Sequence, residues 1–176
     1  MRVISGLKRG TVLISPEGEE TRPTTDRVKE NIFNLIQFED DKKNVLDLFS
    51  GSGGMGIEAL SRGYEFATFV DLSKSACDVI RKNIKKTGFE EKSEVINKSF
   101  EEFLKNAHLK YSLIFLDPPY HNGFIDRALA IIKEKKLLAD GGIIVCECDY
   151  NEEIEEYDFV KTKEKKYGRV RVTVFK

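Results

Sequence analysis

Cysteine is scarce in this sequence, and the little there is forms no framework. Cys77, Cys146 and Cys148 are the whole set, an odd number, which argues against the disulfide-stapled secreted class. Cys146 and Cys148 are two apart in a strand-like run, so they point to one face, whereas metal loops usually leave a two-residue gap. Histidine is scarcer still, and His108 and His121 sit near neither cysteine. The cysteines therefore read as core, and no metal site is expected. An excess charge of either sign is also lacking: 29 Lys and Arg stand against 30 Asp and Glu, a formal net charge of −1. That balance argues against a generic nucleic-acid coat protein and leaves local basic patches open. No apolar run is long enough to span a membrane and no signal-peptide pattern opens the chain, so a soluble, cytoplasmic protein is expected.

What is present is enough apolar material for a substantial core: 40% of 176 residues are hydrophobic, most simply one domain over residues 1–176. Residues 1–20, "MRVISGLKRGTVLISPEGEE", look like a small hairpin with a Gly-containing turn. Residues 21–176 would hold a helix and the main body. In "RPTTDRVKENIFNLI", Pro23 precedes Thr24 and Thr25, either of which could cap a helix, and Asp26 suits its first turn. Val28, Ile32, Leu35 and Ile36 then repeat at helical spacing. From Asn44 onward strand and helix alternate. Strands are expected at 45–49, 66–71, 93–97, 112–116 and 142–147, with helices at 54–61, 74–87, 100–106 and 124–135. Two last strands, near 157–163 and 169–175 with "YG" between them, can pair antiparallel. Repeated βα units mean an α/β fold with a mainly parallel sheet covered on both faces.

"VLDLFSGSGGMG" places Gly51, Gly53 and Gly56 in G-x-G-x-x-G spacing after a strand and before a helix, the context that lifts this motif above chance. Asp71 ends the next strand, where a carboxylate can hold ribose hydroxyls. A dinucleotide or an adenosine compound without phosphates would fit so far. Asp47, just before the loop, helps decide. A carboxylate there would repel a pyrophosphate and suit an ammonium group, which favours S-adenosylmethionine over a nicotinamide cofactor. The plain structural reading of Asp47 is an acceptor for loop N–H groups, and it could do both.

The strand at 112–116 ends on Asp117, Pro118, Pro119 and Tyr120. Prolines end strands, but a plain stop calls for neither a carboxylate before them nor a flat ring after. Methyl transfer to an exocyclic amine has use for each. Asp117 or the Pro118 carbonyl can accept the amine hydrogens, and Tyr120 offers a face on which an unpaired base stacks. The prolines stiffen the corner and remove N–H groups. The bland alternative is a capped strand end with a packed tyrosine.

"DLFSGSGGMG", "FVDLS" and "LDPPY" resemble the motifs of class I S-adenosylmethionine-dependent methyltransferases acting on exocyclic amines. "MRVISGLKRG", "RPTTDRVKENIFN" and "KKYGRVRVTVF" resemble, more narrowly, the RsmD family, across nearly the whole chain and in order. The resemblance implies a Rossmann-like fold with a seven-stranded, mostly parallel sheet, an antiparallel C-terminal strand pair, an N-terminal hairpin extension and no separate target-recognition domain. It implies methyl transfer to a guanine N2 in bacterial 16S ribosomal RNA. Asp47, Gly51, Gly53, Gly56, Asp71 and Leu72 would line the cofactor site, while Asp117, Pro118 and Tyr120 would act on the base. Where the family often has an acid near the adenine, this chain has Ser99, whose hydroxyl could bond the adenine amine, with the Phe100 N–H near a ring nitrogen.

Basic residues cluster at both ends. Lys161, Lys163, Lys165, Lys166, Arg169, Arg171 and Lys176 face only Glu164 over the last sixteen residues, and Arg2, Lys8, Arg9, Arg22, Arg27 and Lys29 mark the front. Any one cluster could be a solvated edge. Two of them flanking a base-modifying site suggest a phosphate-binding rim for RNA, either free or within a small ribosomal subunit or its assembly intermediate, bound by a monomer. Arg22 and Arg27 could instead hold the helix start or reach the cofactor. The competing readings are an adenine-N6 methyltransferase on DNA or RNA, a nicotinamide-dependent oxidoreductase, and a catalytically silent RNA-binding or assembly factor.

Overall fold

A computed structural model describes residues 1–15, 26–37 and 42–176. In chain order the elements are α1 Asp26–Leu35, β1 Asn44–Asp47, α2 Gly54–Ser61, β2 Phe66–Asp71, α3 Lys74–Thr87, β3 Ser93–Asn97, α4 Phe100–Asn106, β4 Tyr111–Leu116, α5 Phe124–Lys135, β5 Leu138–Asp149, β6 Lys161–Tyr167 and β7 Val170–Phe175. They build one seven-stranded sheet ordered β3-β2-β1-β4-β5-β7-β6. β1 to β5 pair in parallel, while β7 runs antiparallel to both β5 and β6. The strand order reverses direction between β1 and β4, so the carboxyl ends of those two strands open the crevice where an α/β sheet takes its ligand.

Alternation along the strands splits the core in two. Val45, Phe69, Leu113 and Phe115 meet Ile32 of α1, Ile57 of α2 and Ile80 of α3 on one face. Leu46, Ile114 and Leu116 meet Leu104 of α4 and Ile125, Leu129 and Ile132 of α5 on the other. All three cysteines are buried, as core residues.

The structure departs from the sequence-based expectation most at the N-terminal hairpin and at β5 and β6. The N-terminal hairpin is reduced to a single antiparallel bridge, Arg2 to Val12, around a 3-10 turn at Gly6–Lys8. Val3 and Leu13 bury in the core, and a polar network adds to their hold on the body. Glu58 of α2 accepts the Ile4 and Ser5 N–H groups at 2.7 and 3.0 Å, and the Arg62 Nε at 2.8 Å. Lys29 lies 3.3 Å from Glu58, both side chains fully buried, and donates to the Arg2 carbonyl at 2.6 Å. Burial pulls the Lys29 pKa down against the opposing pull of Glu58. Gly6, at φ +79°, has no space for a side chain, because a Cβ there would sit 1.8 Å from the Ser61 carbonyl oxygen. In α1 the inward face therefore carries Lys29, Ile32 and Phe33, whereas Val28 and Leu35 are only partly buried. β5 begins at Leu138, four residues before the expected start, because Gly141 takes φ +73° at a register shift and the strand runs through it. β6 begins at Lys161, since two consecutive non-glycine residues, Tyr157 and Asp158, hold left-handed φ values of 46° and 65° and break the extended path. Thr24 and Thr25, the expected caps, lie outside the described residues, as does Arg22.

Candidate active site at the carboxyl edge of the sheet

The glycine loop is built on two carboxylates. Asp47, the last residue of β1, is 4% exposed. Its Oδ2 accepts the Gly56 N–H at 2.9 Å. Asp71, ending β2, accepts the Gly51 N–H at 2.8 Å through one oxygen and the Ser73 N–H at 2.8 Å through the other. Gly51 turns at φ +53° with no atom within 4 Å of where a Cβ would stand, so the backbone faces open space there. Gly56 serves packing instead: a Cβ would lie 2.4 Å from the Phe69 ring, so only glycine lets α2 approach β2 this closely.

Burial pushes the Asp47 carboxyl up to about 7. The Gly56 N–H opposes that rise, and the Asp117 and Asp71 carboxylates add to it. A cation entering this crevice would favour the ionised form of Asp47. Leu72 follows, 74% exposed, a flat apolar shelf at the end of β2. Asn97, at the end of β3, donates to the Asp71 and Leu72 carbonyls at 3.0 and 2.8 Å and fixes that shelf. Ser99 caps α4, its Oγ accepting the Glu102 N–H at 3.2 Å, so its hydroxyl already has a structural duty. Phe100 is buried beside it, against Phe49.

The second half of the site follows β4. Asp117 is half-buried, Pro118 buried, and Tyr120 half-buried. Asn122 folds back and donates to the Pro119 and Tyr120 carbonyls at 3.2 and 2.9 Å. The Tyr120 hydroxyl donates to Glu147 Oε1 at 3.2 Å, and the His121 N–H donates to Glu152 Oε2 at 3.2 Å. The corner is thus clamped from the β5 side by acids that no motif announced. β1 and β4 pair in parallel with Asp47 opposite Phe115, so the glycine loop and the Asp117–Tyr120 corner leave neighbouring strand ends.

The basic residues divide. Because β7 is antiparallel to β5, the turn between β6 and β7 lies at this same carboxyl edge, with Asp149 opposite Val170. Arg169 reaches Asp149 at 3.6 Å while staying largely exposed, the Lys166 Nζ stands 3.6 Å above the Tyr150 ring, and Lys165 is exposed. Arg171 is drawn instead into the segment after β5, where its guanidinium donates to the Glu152 carbonyl. Met1 approaches Ser52 of the glycine loop, with its Sδ 3.9 Å from the Ser52 Oγ. Arg2 pairs with Asp26 at 3.1 Å, and Arg27 is exposed one residue on. Lys8 is not brought to the site. Its N–H meets Ser61 at the far end of α2, its Nζ stands 5.8 Å from the centre of the Phe89 ring beyond α3, and exposed Arg9 follows it. Among the described residues no group of His, Cys, Asp and Glu is arranged to hold a metal ion, and no helix is long and apolar enough to cross a membrane.

A protein-family model described as "Conserved hypothetical protein 95" matches residues 1–176. The chain belongs to that family. Its relatives include "Putative rRNA methyltransferase YlbH" of Bacillus subtilis, 42% identical with 100% of this chain and 98% of the relative covered. "Ribosomal RNA small subunit methyltransferase D" of Haemophilus influenzae is 35% identical over 99% of this chain and 93% of its own length. Among solved structures, "Putative methyltransferase yhhF from Escherichia coli" superposes with a TM-score of 0.87 at 30% identity, covering 99% of this chain and 96% of that one. Family and sheet topology agree: this is a class I methyltransferase fold of the RsmD kind, and the family's enzymes are RNA methyltransferases.

Proposed function

We propose that the protein transfers a methyl group from S-adenosylmethionine to the exocyclic N2 amine of a guanine in small-subunit ribosomal RNA. One observation carries this reading: the Asp117–Tyr120 corner stands at the end of β4, next to the strand that ends in Asp47 and the glycine loop. The residues fit the cofactor. Buried Asp47 suits an ammonium, the Gly51 backbone faces open space, and Leu72 offers an apolar shelf for an adenine. A bound S-adenosylmethionine supplies an activated methyl on a sulfonium, so no further activation of the donor is needed.

The chain's own contribution is to bind and to aim. Asp47 and Asp71 hold the glycine loop in the shape that receives the methionine and ribose portions. Asp117 and the Pro118 carbonyl accept the amine hydrogens, which favours a more pyramidal nitrogen and directs its lone pair along the line of attack. Asp117 then stands ready to take the proton the amine releases. Tyr120 supplies the stacking face for a base that has left its helix. Lys165, Lys166 and Arg169 border the same edge and would hold flanking phosphates. Guanine N2 lies in the minor groove, where a duplex gives no room for in-line attack, so the target must be unpaired or flipped out.

A nucleoside digest of small-subunit RNA treated with the enzyme and a methyl-labelled donor tests the reading. Label is expected in N2-methylguanosine. Label in N6-methyladenosine alone would overturn it.

A further inference from the structure

The acids at the carboxyl edge outnumber the tasks assigned to them. Asp47 and Asp71 serve the loop and cofactor, and Asp117 serves the amine. Glu147 is 6% exposed. It stands near the end of β5, two residues beyond Val145 on the face shared with α1 to α3. Asp47 occupies the same face, two residues beyond Val45. Parallel pairing of Leu116 with Cys146 puts the next residues of the two strands, Asp117 and Glu147, side by side. The Tyr120 hydroxyl at 3.2 Å places the Glu147 carboxylate at the rim of the ring on which the base would lie. A base stacked on that ring brings its edge toward the same carboxylate. A carboxylate offers about four acceptor positions, so it can serve several donors at once.

Two acceptors side by side select a base. Guanine presents N1–H beside the N2 amine, so both neighbouring groups donate. Adenine presents a lone pair at N1 beside its N6 amine, and that lone pair would face the carboxylate oxygens. We infer that Glu147 is the specificity-determining acceptor for the N1–H of the target guanine, working next to Asp117 on the amine. This inference rests on the guanine-N2 reading above.

The base 2,6-diaminopurine separates the two claims. It keeps an amine at C2 but carries a lone pair at N1. Small-subunit particles would be reconstituted with RNA bearing either guanine or 2,6-diaminopurine at the mapped target, and kcat/KM measured for N2 methylation of each. Wild-type enzyme is expected to favour guanine at least about tenfold, the low end of discrimination by one well-formed base-edge contact. Glu147→Gln, whose amide can accept from one base or donate to the other, is expected to bring the ratio to within about threefold. Tyr120→Phe, which keeps the carboxylate and removes the hydroxyl, is expected to retain the wild-type preference. Cofactor binding by each variant reports that it is folded.

Equal use of both bases by the wild type, with the product methylated at N2, overturns the role of Glu147 and leaves the guanine-N2 reading standing. An unchanged ratio in Glu147→Gln overturns it too. A ratio lost equally in Tyr120→Phe shows Glu147 acting only through the ring, with the same consequence. Label in N6-methyladenosine removes both the inference and its premise.

Discussion

The Gly56 N–H donates to Asp47 Oδ2 at 2.9 Å, and that bond ties the end of β1 to the first turn of α2 across the glycine loop. The carboxylate is held by backbone and has its pKa raised to about 7 by burial. Binding a cationic ligand there requires the ionised form. Affinity for S-adenosylmethionine is therefore expected to be weaker at about pH 6 than at about pH 8, by up to about tenfold per linked proton and pH unit. Calorimetry in buffers of different ionisation enthalpy should detect the released proton. The Asp47→Asn variant should bind weakly at both pH values.

The same shift sets a stability slope. Between the ordinary carboxyl value of 3.8 and about 7, the folded chain holds a proton on Asp47 that the unfolded chain has lost. The contribution of this group is thus most favourable below the lower value, declines as pH rises through the window, and is fully lost above about 7. Urea midpoints of wild type and Asp47→Asn, compared across that window, should show a shallower decline for the variant.

Asp117→Ala should remove turnover while leaving cofactor affinity and the unfolding midpoint close to wild type. Loss of cofactor binding in that variant would place Asp117 in the wrong half of the site. Single-turnover kinetics with prebound cofactor make the distinction.

Tyr120→Ala should lower kcat/KM on RNA by roughly ten- to a hundredfold, since stacking of one base on an aromatic ring contributes about 1–3 kcal/mol. Tyr120→Phe should retain most of the activity, because the ring that stacks the base remains. A phenylalanine variant as damaged as the alanine one would contradict the stacking account.

Glu58 receives Lys29, Arg62 and two backbone N–H groups at once. Glu58→Ala takes the paired carboxylate from a buried ammonium and the acceptor from the Ile4 and Ser5 amides, so a loss of about 3–5 kcal/mol is expected in urea unfolding. Arg62→Ala, which removes one of the Glu58 partners and a cation over the Phe33 ring but leaves no buried charge unpaired, should cost less.

Motifs were legible where a backbone constraint repeats at fixed spacing. Gly51, Gly53 and Gly56, between an apolar strand and a helix, announced the loop, and Asp117 to Tyr120 announced the corner. The carboxylates that hold those features were harder to see. Glu147, Glu152 and the amide of Asn97 are single polar residues at strand ends, and nothing in their spacing distinguishes them from solvated ones. Only the parallel register of β4 and β5 brings Glu147 to Tyr120. Lys29 was hidden for the opposite reason, since a lysine in an amphipathic helix reads as outward-facing until Glu58 is found beneath it. Likewise Lys8 was indistinguishable in sequence from Arg2, yet Arg2 pairs with Asp26 of α1 whereas the turn at Gly6 sends Lys8 to Ser61 at the end of α2.

β6 closes the sheet on one side, and an outermost strand presents unpaired backbone groups that invite another chain to add to it. Here Lys161, Lys163, Lys165 and Lys166 occupy four of its seven positions. Two copies approaching edge to edge would meet like charge on like charge, while a polyanion would meet the reverse. A strand built to hold phosphates would thereby also turn away its own kind, and neutralising it to test the first property would expose the second. A variant with Lys165, Lys166 and Arg169 replaced by glutamine should bind RNA more weakly, with a salt dependence flattened by about 0.7 in slope per lost single-strand phosphate contact. Light scattering on the same variant should reveal self-association at concentrations where the parent chain shows none.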